Sequence, residues 1–436
     1  MMGSRLEEAG WIWVDDQDQA DLILVNTCAF IQSAQEESID SALSLVGEYP
    51  RTPVVLTGCM AQRFPQELSE GMPEIAGIFG NRAPEQIDEF VSRLSSDATS
   101  PVVWLPEGDS ALSGTPRHRF LSRRGSAFVK VAEGCDHNCS FCAIPSIRGR
   151  LRMRPSADIV AEARELRERG VFELNLVAQD LAAWREAGPT SPGGIVGLLR
   201  RMLEDPGEFW LRLLYLYPDT FPHELLELAA SDSRLLPYFD LSFQHAAPHI
   251  LRRMGRPGDD DTYLRLIERI RSVLPDVALR SSFIVGFPGE TEKDVEILED
   301  FLRAAQLEWV GVFTYSPQDG TPAAVMAKRD GAVPEPVAEE RRQRLMVAQE
   351  QISTDRLSRF VGREVPVLIE EPFDGADLAL GRCPVQAPEV DGLVVVHGGG
   401  ELQPGDRVRA LVTAVSGLDL QARIVKPRIP SPKSEP

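Results

Sequence analysis

The sequence predicts an α/β protein with a small N-terminal α/β domain, a larger second α/β domain and a C-terminal β-barrel. Near the N-terminus, short apolar strands alternate with amphipathic helices. After an aperiodic stretch the alternation resumes with six further apolar strands. From about residue 361 the pattern changes to β-rich runs separated by turns, which is typical of a small barrel. A chain of 436 residues has room for about three such domains.

The first domain is predicted over residues 1–95. The expected elements are strands at 11–14, 22–25, 54–56 and 76–79 and helices at 32–47, 61–70 and 84–94. Loops that leave the carboxyl ends of parallel strands line the binding crevice of such a sheet. Cys28 and Cys59 lie in two of these loops, each directly after an apolar strand. We therefore expect the two thiols to converge; the alternative is that each is a buried structural thiol.

The second domain is predicted over residues 126–357, after a linker at 96–125. Its strands are expected at 127–132, 172–178, 211–217, 238–243, 279–286 and 309–315. Six such units in series indicate either an incomplete (β/α)6 TIM barrel or an open doubly wound sheet, and periodicity does not distinguish them. A charged helix at about 338–357 then leads to the β-barrel, at 361–428, and to a short tail at 429–436.

Composition limits the classes of function. No run of about 18 apolar residues occurs and acidic residues arrive early, so we expect a cytoplasmic protein with no membrane segment and no signal peptide. Five of the six cysteines lie in the first third of the chain, which favours metal or redox chemistry over disulfides. The sixth, Cys383, is expected to pack as a small apolar residue. A net charge of −20 attracts basic partners and repels free nucleic acid.

Three further cysteines form the strongest motif. Cys135, Cys139 and Cys142 are spaced C-x3-C-x2-C in the loop after the first strand of the second domain. Thiolates suit iron–sulfur clusters and zinc, but a structural zinc site needs four ligands, usually as two pairs, and no second C-x2-C pair exists in the sequence. Three thiolates on a four-iron cluster leave one iron free to chelate the amino and carboxylate groups of a substrate.

These residues resemble the radical S-adenosylmethionine superfamily, and the resemblance extends to its methylthiotransferase family. The segments that carry it are GCDHNCSFCAIPSIRG, LVAQD, FDLSFQH, ILRRMGRPG, RSSFIVGFPGET and FTYSPQDGTPA. It runs from the Asn26-Thr27-Cys28 stretch to the final barrel, which is similar to a TRAM domain. It therefore covers all of the predicted domains.

The resemblance implies an enzyme with two 4Fe-4S clusters. The cluster on Cys135, Cys139 and Cys142 would bind S-adenosylmethionine and reduce it to methionine and a 5′-deoxyadenosyl radical, which takes hydrogen from an unactivated C–H bond. A second cluster would deliver sulfur, and a second S-adenosylmethionine would deliver the methyl group. Cys28 and Cys59 match two of the three cysteines that hold that cluster in the family. A flavodoxin-like or ferredoxin-like protein would supply electrons, and we expect a monomer.

Other candidates carry weaker expectations. By resemblance, Gln179 and Asp180 would line the cavity near the cofactor, and the expected cofactor-contacting strand contains Ser281, Ser282 and the turn that begins at Gly286. His245, at the mouth of the barrel, would touch substrate, and Arg148 would pair with a carboxylate. The structural alternatives are strand-end capping, turn glycines, a hydrogen-bonded histidine and a surface arginine.

Two branches of the family differ in substrate. One modifies an isopentenyl-adenosine base in transfer RNA, and the other modifies the β-carbon of an aspartate in small-subunit ribosomal protein S-twelve. From Val361 onward the chain has 8 Lys and Arg against 11 Asp and Glu, which suits a basic protein partner better than RNA. The pairs Gln179-Asp180 and Gln244-His245 resemble the ribosomal-protein branch. We therefore expect S-twelve or the small subunit as partner; the alternatives are transfer RNA, or a ribosome-docking module impaired in sulfur insertion.

The chain departs from the family pattern in two places. Ser242 stands where the family usually has proline, and we expect a minor effect on the strand end. The family also begins with a strand and a Gly-Cys loop that precede the segment resembling Met2–Leu6 here. We therefore expect a polypeptide that starts upstream of Met1, with the third ligand of the second cluster in the added segment. The chain as given would then hold an incomplete second cluster.

Overall fold

The structure is a computed structural model that describes residues 2–29, 32–94, 100–107, 112, 125–186, 193–373 and 375–429. The chain divides into two compact units. The first contains Met1–Arg119, Glu133–Arg152 and Ser316–Thr321, and the second contains Phe120–Ala132, Met153–Tyr315 and Pro322–Pro436. Among the described residues, no helix combines the length and the apolar character needed to cross a bilayer.

The first unit is built on a four-stranded parallel sheet. Its elements, in chain order, are α1 Met2–Glu8, β1 Ile23–Thr27, α2 Gln32–Glu48, β2 Val54–Gly58, α3 Cys59–Arg63, α4 Pro65–Gly71, β3 Gly77–Phe79, α5 Ile87–Val91 and β4 Val102–Trp104. The strands pair in the order β1-β2-β3-β4. Every residue of β2 is buried, as expected for a strand covered on both faces.

Three local predictions for this unit are wrong. Residues 11–14 form no strand: the Trp13 ring packs against Gly3 of α1, and Ile12 is 84% exposed. The helix expected at 61–70 is two helices, because Pro65 begins α4 just after α3 ends. The segment at 96–125 is more than a linker, since it contributes β4 to the sheet beside β3. Most of that segment lies outside the described residues.

The segment from residue 126 to residue 358 contains the larger sheet together with helices and two short strands. Its elements are β5 Ser126–Lys130, β6 Ala132–Glu133, α6 Ile144–Arg148, β7 Arg152–Met153, α7 Ser156–Glu168, β8 Glu173–Val177, α8 Ile195–Leu203, β9 Trp210–Leu216, α9 Glu224–Ser231, β10 Leu235–Leu241, α10 Pro248–Arg253, α11 Asp260–Val273, β11 Ala278–Val285, α12 Glu292–Ala305, β12 Trp309–Thr314, α13 Pro322–Asp330 and α14 Glu335–Ser358. In the second unit, β5, β8, β9, β10, β11 and β12 pair in parallel in chain order. A doubly wound sheet reverses its order midway, so the incomplete (β/α)6 barrel is the correct alternative.

The second unit ends in a closed five-stranded barrel. Its strands are β13 Glu364–Pro372, β14 Leu378–Arg382, β15 Val394–His397, β16 Arg407–Ser416 and β17 Asp419–Ile429, closed in the order β13-β14-β15-β17-β16. The prediction of a small β-barrel is confirmed. Its core is continuous with Trp210 and Trp309 of the larger sheet. The domain limits given above remain predictions.

Candidate functional site

Cys28 and Cys59 directly follow the ends of two neighbouring strands of the first unit. Thr27 ends β1 directly opposite Gly58, which ends β2, so each cysteine is the next residue after a matched pair. Strands in such a ladder lie about 4.8 Å apart. The Thr27 hydroxyl accepts the backbone N–H of Ala61 over 3.3 Å and donates to the carbonyl of Thr57. It thereby satisfies one of the free N–H groups at the start of α3 and ties both junctions together.

The turn before Cys59 requires glycine. Gly58 has a φ of 93°, and a Cβ built on it would lie 2.5 Å from the Thr27 carbonyl oxygen. With no side chain, the backbone of β2 approaches β1 and turns directly into α3. Cys59 is therefore the first residue of that helix, half-buried at the carboxyl end of the sheet.

Arg63, at the end of the same helix, fixes the loop that follows Cys28. Its Nη1 donates to the Ala29 carbonyl over 2.9 Å and to Gln318 Oε1 over 2.6 Å. Desolvation lowers the pKa of this guanidinium, against the opposing charge of Asp319. The two cysteines are thus held by hydrogen bonds at both ends of α3.

The cysteine triplet belongs to the same compact unit. Within its loop, the Cys135 sulfur accepts the His137 N–H and the Cys142 sulfur accepts the Ile144 N–H, each over 3.4 Å. The loop continues into α6, whose Ile147 is buried in one cluster with Met60 of α3. The first unit therefore gathers all five cysteines that the motifs singled out, namely Cys28, Cys59, Cys135, Cys139 and Cys142.

Two side chains donate to the Cys59 sulfur. Asn81 Nδ2 and Arg148 Nη2 each lie 3.4 Å from it. Arg148 Nη1 donates at the same time to the buried carboxylate of Glu133. Desolvation lowers the pKa of Arg148, but the charges of Cys59 and Glu133 outweigh it and the net shift is upward. Within the protein, Glu133 is the carboxylate partner of Arg148, and the expected pairing of Arg148 with a bound carboxylate stays a prediction.

The cysteine triplet has the donor chemistry of an iron–sulfur cluster site. No group of three or more His, Cys, Asp or Glu side chains that could hold one metal ion is found in the described ranges. In a 4Fe-4S cluster each thiolate binds a different iron, so its ligands do not converge on a shared point. Three half-buried thiols within eight residues, with backbone N–H groups directed at two of the sulfurs, match that arrangement.

In the second unit, Gln179 and Asp180 follow β8. Gln179 is half-buried, and its Oε1 is a buried acceptor with no hydrogen-bond donor among the described residues. Such an atom is rare unless a ligand or water completes it. The Asp180 carboxylate instead accepts the backbone N–H groups of Ala182 and Tyr217, over 2.9 and 3.3 Å. Gln179 is therefore the better placed of the two for a ligand, whereas Asp180 caps the strand end.

Of the residues expected at the cofactor strand and the barrel mouth, some already hydrogen-bond to neighbouring backbone, whereas Ser282 is half-buried. Ser281 is fully buried and accepts the Phe243 N–H, whereas Ser282 is half-buried on β11. The backbone N–H of Gly286 donates to Glu290 Oε1 over 2.9 Å. His245 is fully buried, and its Nδ1 accepts two backbone N–H groups. This geometry favours the hydrogen-bonded structural alternative for His245.

Three residues around these sites were not predicted from the sequence to have a role, namely Asn81, Glu133 and Glu290. Glu290 lies inside the GFPGET segment and joins Gly286 to Arg341, with Arg341 Nη1 at 2.7 Å from its Oε1. Its position four residues after a turn glycine was a usable indication. Asn81 and Glu133 carry no motif of their own, and only the fold brings them to Cys59 and Arg148.

Comparison with protein families gives three matches along the chain. Residues 1–80 match the model described as Uncharacterized protein family UPF0004, residues 129–302 match the Radical SAM superfamily, and residues 361–425 match the TRAM domain. The three matches agree in order and approximate position with the resemblances found in the sequence.

The curated relatives are similar over nearly their whole length. Proteins named ribosomal protein uS12 methylthiotransferase RimO are 39% identical in Treponema denticola, over 96% of this chain and 95% of the relative. The relative from an Anaeromyxobacter species is 41% identical over 100% and 92%, and the one from Thermus thermophilus is 41% identical over 96% and 94%. This similarity extends across every predicted domain.

Among solved structures, the chain resembles the radical S-adenosylmethionine methyltransferase TsrM from Kitasatospora setae. The structure with cobalamin and a [4Fe-4S] cluster bound aligns with a TM-score of 0.56 at 18% identity, over 75% of this chain and 74% of that one. A second TsrM structure, with tryptophan and an S-adenosylmethionine analogue, aligns with a TM-score of 0.52 at 17% identity, over 71% and 64%. At these identities the likeness concerns the fold alone.

Proposed function

Because this chain belongs to the ribosomal protein uS12 methylthiotransferase family, we propose that it attaches a methylthio group to the β-carbon of an aspartate in ribosomal protein uS12. The observation that carries the proposal is similarity of about 40% identity over nearly the full length of relatives with that name. The acidic balance of the chain, −20 overall, agrees with a basic protein substrate.

The chain's own residues have distinct proposed roles. Cys135, Cys139 and Cys142 would hold the 4Fe-4S cluster through three thiolates. When bound, this cluster and S-adenosylmethionine supply the electron and the radical that remove hydrogen from an unactivated C–H bond. Of the remaining residues, Gln179 would offer its unpartnered Oε1 to the cofactor.

The loop at Gly286 would take part in cofactor binding through its backbone. Glu290 holds that loop by accepting the Gly286 N–H, and Arg341 holds Glu290 in turn. Ser282, half-buried on the preceding strand, would lie toward the cofactor, while Ser281 and His245 support the strand ends from within. Preorganised backbone of this kind lowers the entropic cost of binding.

Cys28 and Cys59 would hold a second 4Fe-4S cluster that serves the sulfur transfer. They are proposed as a pair because each follows the last residue of its strand, and those two residues, Thr27 and Gly58, are paired in the sheet. A reducing protein of the flavodoxin or ferredoxin class would supply electrons. The two cysteines are the ones that this chain contributes; the remaining ligands of that cluster are left open.

The test is an anaerobic assay of the whole chain. The protein is reconstituted with iron and sulfide and incubated with S-adenosylmethionine, a chemical reductant and purified uS12, with isopentenyl-adenosine transfer RNA in a parallel reaction. We expect 5′-deoxyadenosine together with a methylthio mass increase on an aspartate of uS12, and no change in the RNA. Modification of the RNA alone would replace the proposed substrate. Absence of 5′-deoxyadenosine would overturn the enzymatic proposal and leave only a docking role.

A further inference from the structure

We propose that Arg148 and Asn81 are positioning residues for the Cys59 sulfur. They orient it for a cluster and raise the reduction potential of that cluster. The inference rests on the proposed function, because it assumes that Cys59 is a cluster ligand. It goes beyond that function by assigning roles to two residues outside the cysteine motifs.

The two donors reach one sulfur from separate elements. Asn81 lies in the loop after β3 and Arg148 ends α6, yet Nδ2 of the first and Nη2 of the second each lie 3.4 Å from the Cys59 Sγ. A thiolate has several lone pairs, so it accepts both N–H groups at once. Fixing the ligand sulfur from two directions limits the rotation of the Cys59 side chain.

Asn81 is itself held by the helix that carries Cys59. Its backbone N–H donates to Gln62 Oε1 over 3.1 Å, and Gln62 lies three residues after Cys59 in α3. A Cβ on Gly80 would lie 2.4 Å from the same Oε1, so the absence of a side chain there permits the hydrogen bond. The helix that carries Cys59 therefore also holds the residue that donates to its sulfur. Asn81 Oδ1 is buried and has no hydrogen-bond donor in the described structure.

Arg148 connects Cys59 with the triplet. Its helix α6 begins at Ile144, whose N–H donates to the Cys142 sulfur, and it ends at Arg148 itself. Five helical residues span about 7.5 Å. The buried Glu133 carboxylate holds the other side of the guanidinium. One short helix thus carries a donor to each of the two cysteine groups.

The electrostatic consequence has a definite sign. Reduction adds negative charge to a cluster and its thiolates, and hydrogen bonds to the sulfurs stabilise that charge and raise the potential. Arg148 contributes more than Asn81, because a charged donor is about twice as strong as a neutral one. The Glu133 carboxylate neutralises part of the positive charge of Arg148, but the hydrogen bond from Nη2 to the Cys59 sulfur remains.

The test isolates the proposed second cluster. Cys135, Cys139 and Cys142 are all changed to alanine in the full chain, and this parent is reconstituted with iron and sulfide. Asn81→Leu, Arg148→Gln and Arg148→Lys are added to it singly, with Arg150→Gln as the matched control because Arg150 is 83% exposed and pairs with Asp136. An electron paramagnetic resonance titration measures the potential, and loss of iron to a chelator measures retention. Circular dichroism compares the fold of each variant with that of the parent.

We expect Arg148→Gln to lower the ratio of reduced to oxidised cluster at a fixed potential about tenfold, which equals 59 mV for one electron. Asn81→Leu should lower it about threefold, because its donor is neutral. Arg148→Lys should recover part of the loss, and both the Gln and Leu variants should release iron faster than the parent. Arg150→Gln should change neither quantity.

Each outcome decides a separate point. Unchanged potential and iron release in both Asn81→Leu and Arg148→Gln would overturn this inference while leaving the proposed function intact. A parent that binds no iron would overturn this inference, because Cys59 would then hold no cluster in this chain, and the proposed activity would be decided by its own assay. If Arg148→Gln loses the parent's circular dichroism spectrum, Asn81→Leu and Arg148→Lys decide the question.

Discussion

Thr27 lies directly opposite Gly58 in the register of β1 and β2. This relationship gives the first unit its functional geometry, because a cysteine directly follows the end of each strand. A shift of the register by one residue would move one strand's side chains to the other face of the sheet and separate the two thiols. The first two predictions test the parts that fix this register.

Gly58→Ala should destabilise the first unit. The added methyl meets the Thr27 carbonyl at 2.5 Å, and the backbone holds a φ of 93° that alanine rarely adopts. We expect a loss of about 2 kcal/mol in the free energy of unfolding, measured by urea titration, and weaker iron retention at Cys59. Gly47→Ala is the control, since a Cβ there has open space and alanine favours a helix. Equal stability of the two variants would contradict the account.

Thr27→Val should leave the backbone N–H of Ala61 without its acceptor. Valine keeps the shape of threonine but removes the hydroxyl that joins Ala61 and Thr57. A buried unsatisfied N–H costs about 1–3 kcal/mol, and we expect a loss in that range by urea titration. Thr27→Ser restores the hydroxyl and should recover most of the stability. If serine and valine destabilise equally, the hydroxyl is not the stabilising group.

Glu173 should make the second unit sensitive to acid. It is fully buried between Arg382 and Arg212; burial raises its pKa, but the charges and hydrogen bonds of both arginines lower it to about 2. Its pKa in the unfolded chain is higher, so its stabilisation is complete above pH 4.5 and is lost as the pH falls toward 2. The shift corresponds to about 3 kcal/mol.

The measurement is the difference in the free energy of unfolding between pH 7 and pH 3. Glu173→Gln should be less stable at pH 7, because two buried arginines lose a charged partner, and it should show a smaller loss on acidification than the native chain. Asp276→Asn is the control: Asp276 is 68% exposed in its pair with Arg363, so its removal should change neither value. An identical pH dependence in native and Glu173→Gln chains would contradict the assignment.

Replacing Cys135, Cys139 and Cys142 by alanine should abolish 5′-deoxyadenosine formation, because no thiolate of that loop remains to hold the cluster. Cys383→Ala should leave the activity unchanged. Its thiol is fully buried in the terminal barrel, where burial raises its pKa to about 11, so it is neither accessible nor ionised near neutral pH. Product formation is followed by liquid chromatography. Continued production by the triple variant would exclude the triplet as the cluster site.

Most strands could be predicted because an apolar run of four to six residues between turns is a local property of the sequence. The exceptions have physical causes. Residues 11–14 are as apolar as β2, but they pack on α1 through Trp13 and join no sheet. β4 has only three residues between two prolines and appears linker-like, although it has a partner strand in β3. Strand pairing decides these cases, and pairing is not a local property.

The candidate site could likewise be predicted only where its residues are close together in the sequence. The triplet was predictable because its chemistry lies within eight residues of sequence. The donors to Cys59 were not, since Asn81 lies 22 residues away and Arg148 lies 89 residues away. His245 and Asp180 carried polar groups at strand ends, but only the fold showed that backbone N–H groups already occupy them.

The most direct test of the central claim is mass spectrometry of uS12 from cells that lack this protein. We predict that uS12 loses a methylthio mass on one aspartate in the deletion strain and regains it when the native coding sequence is restored. Restoration with the Cys135, Cys139 and Cys142 alanine variant should not return the mass. A uS12 mass that is identical in the native and deletion strains would contradict the proposed function.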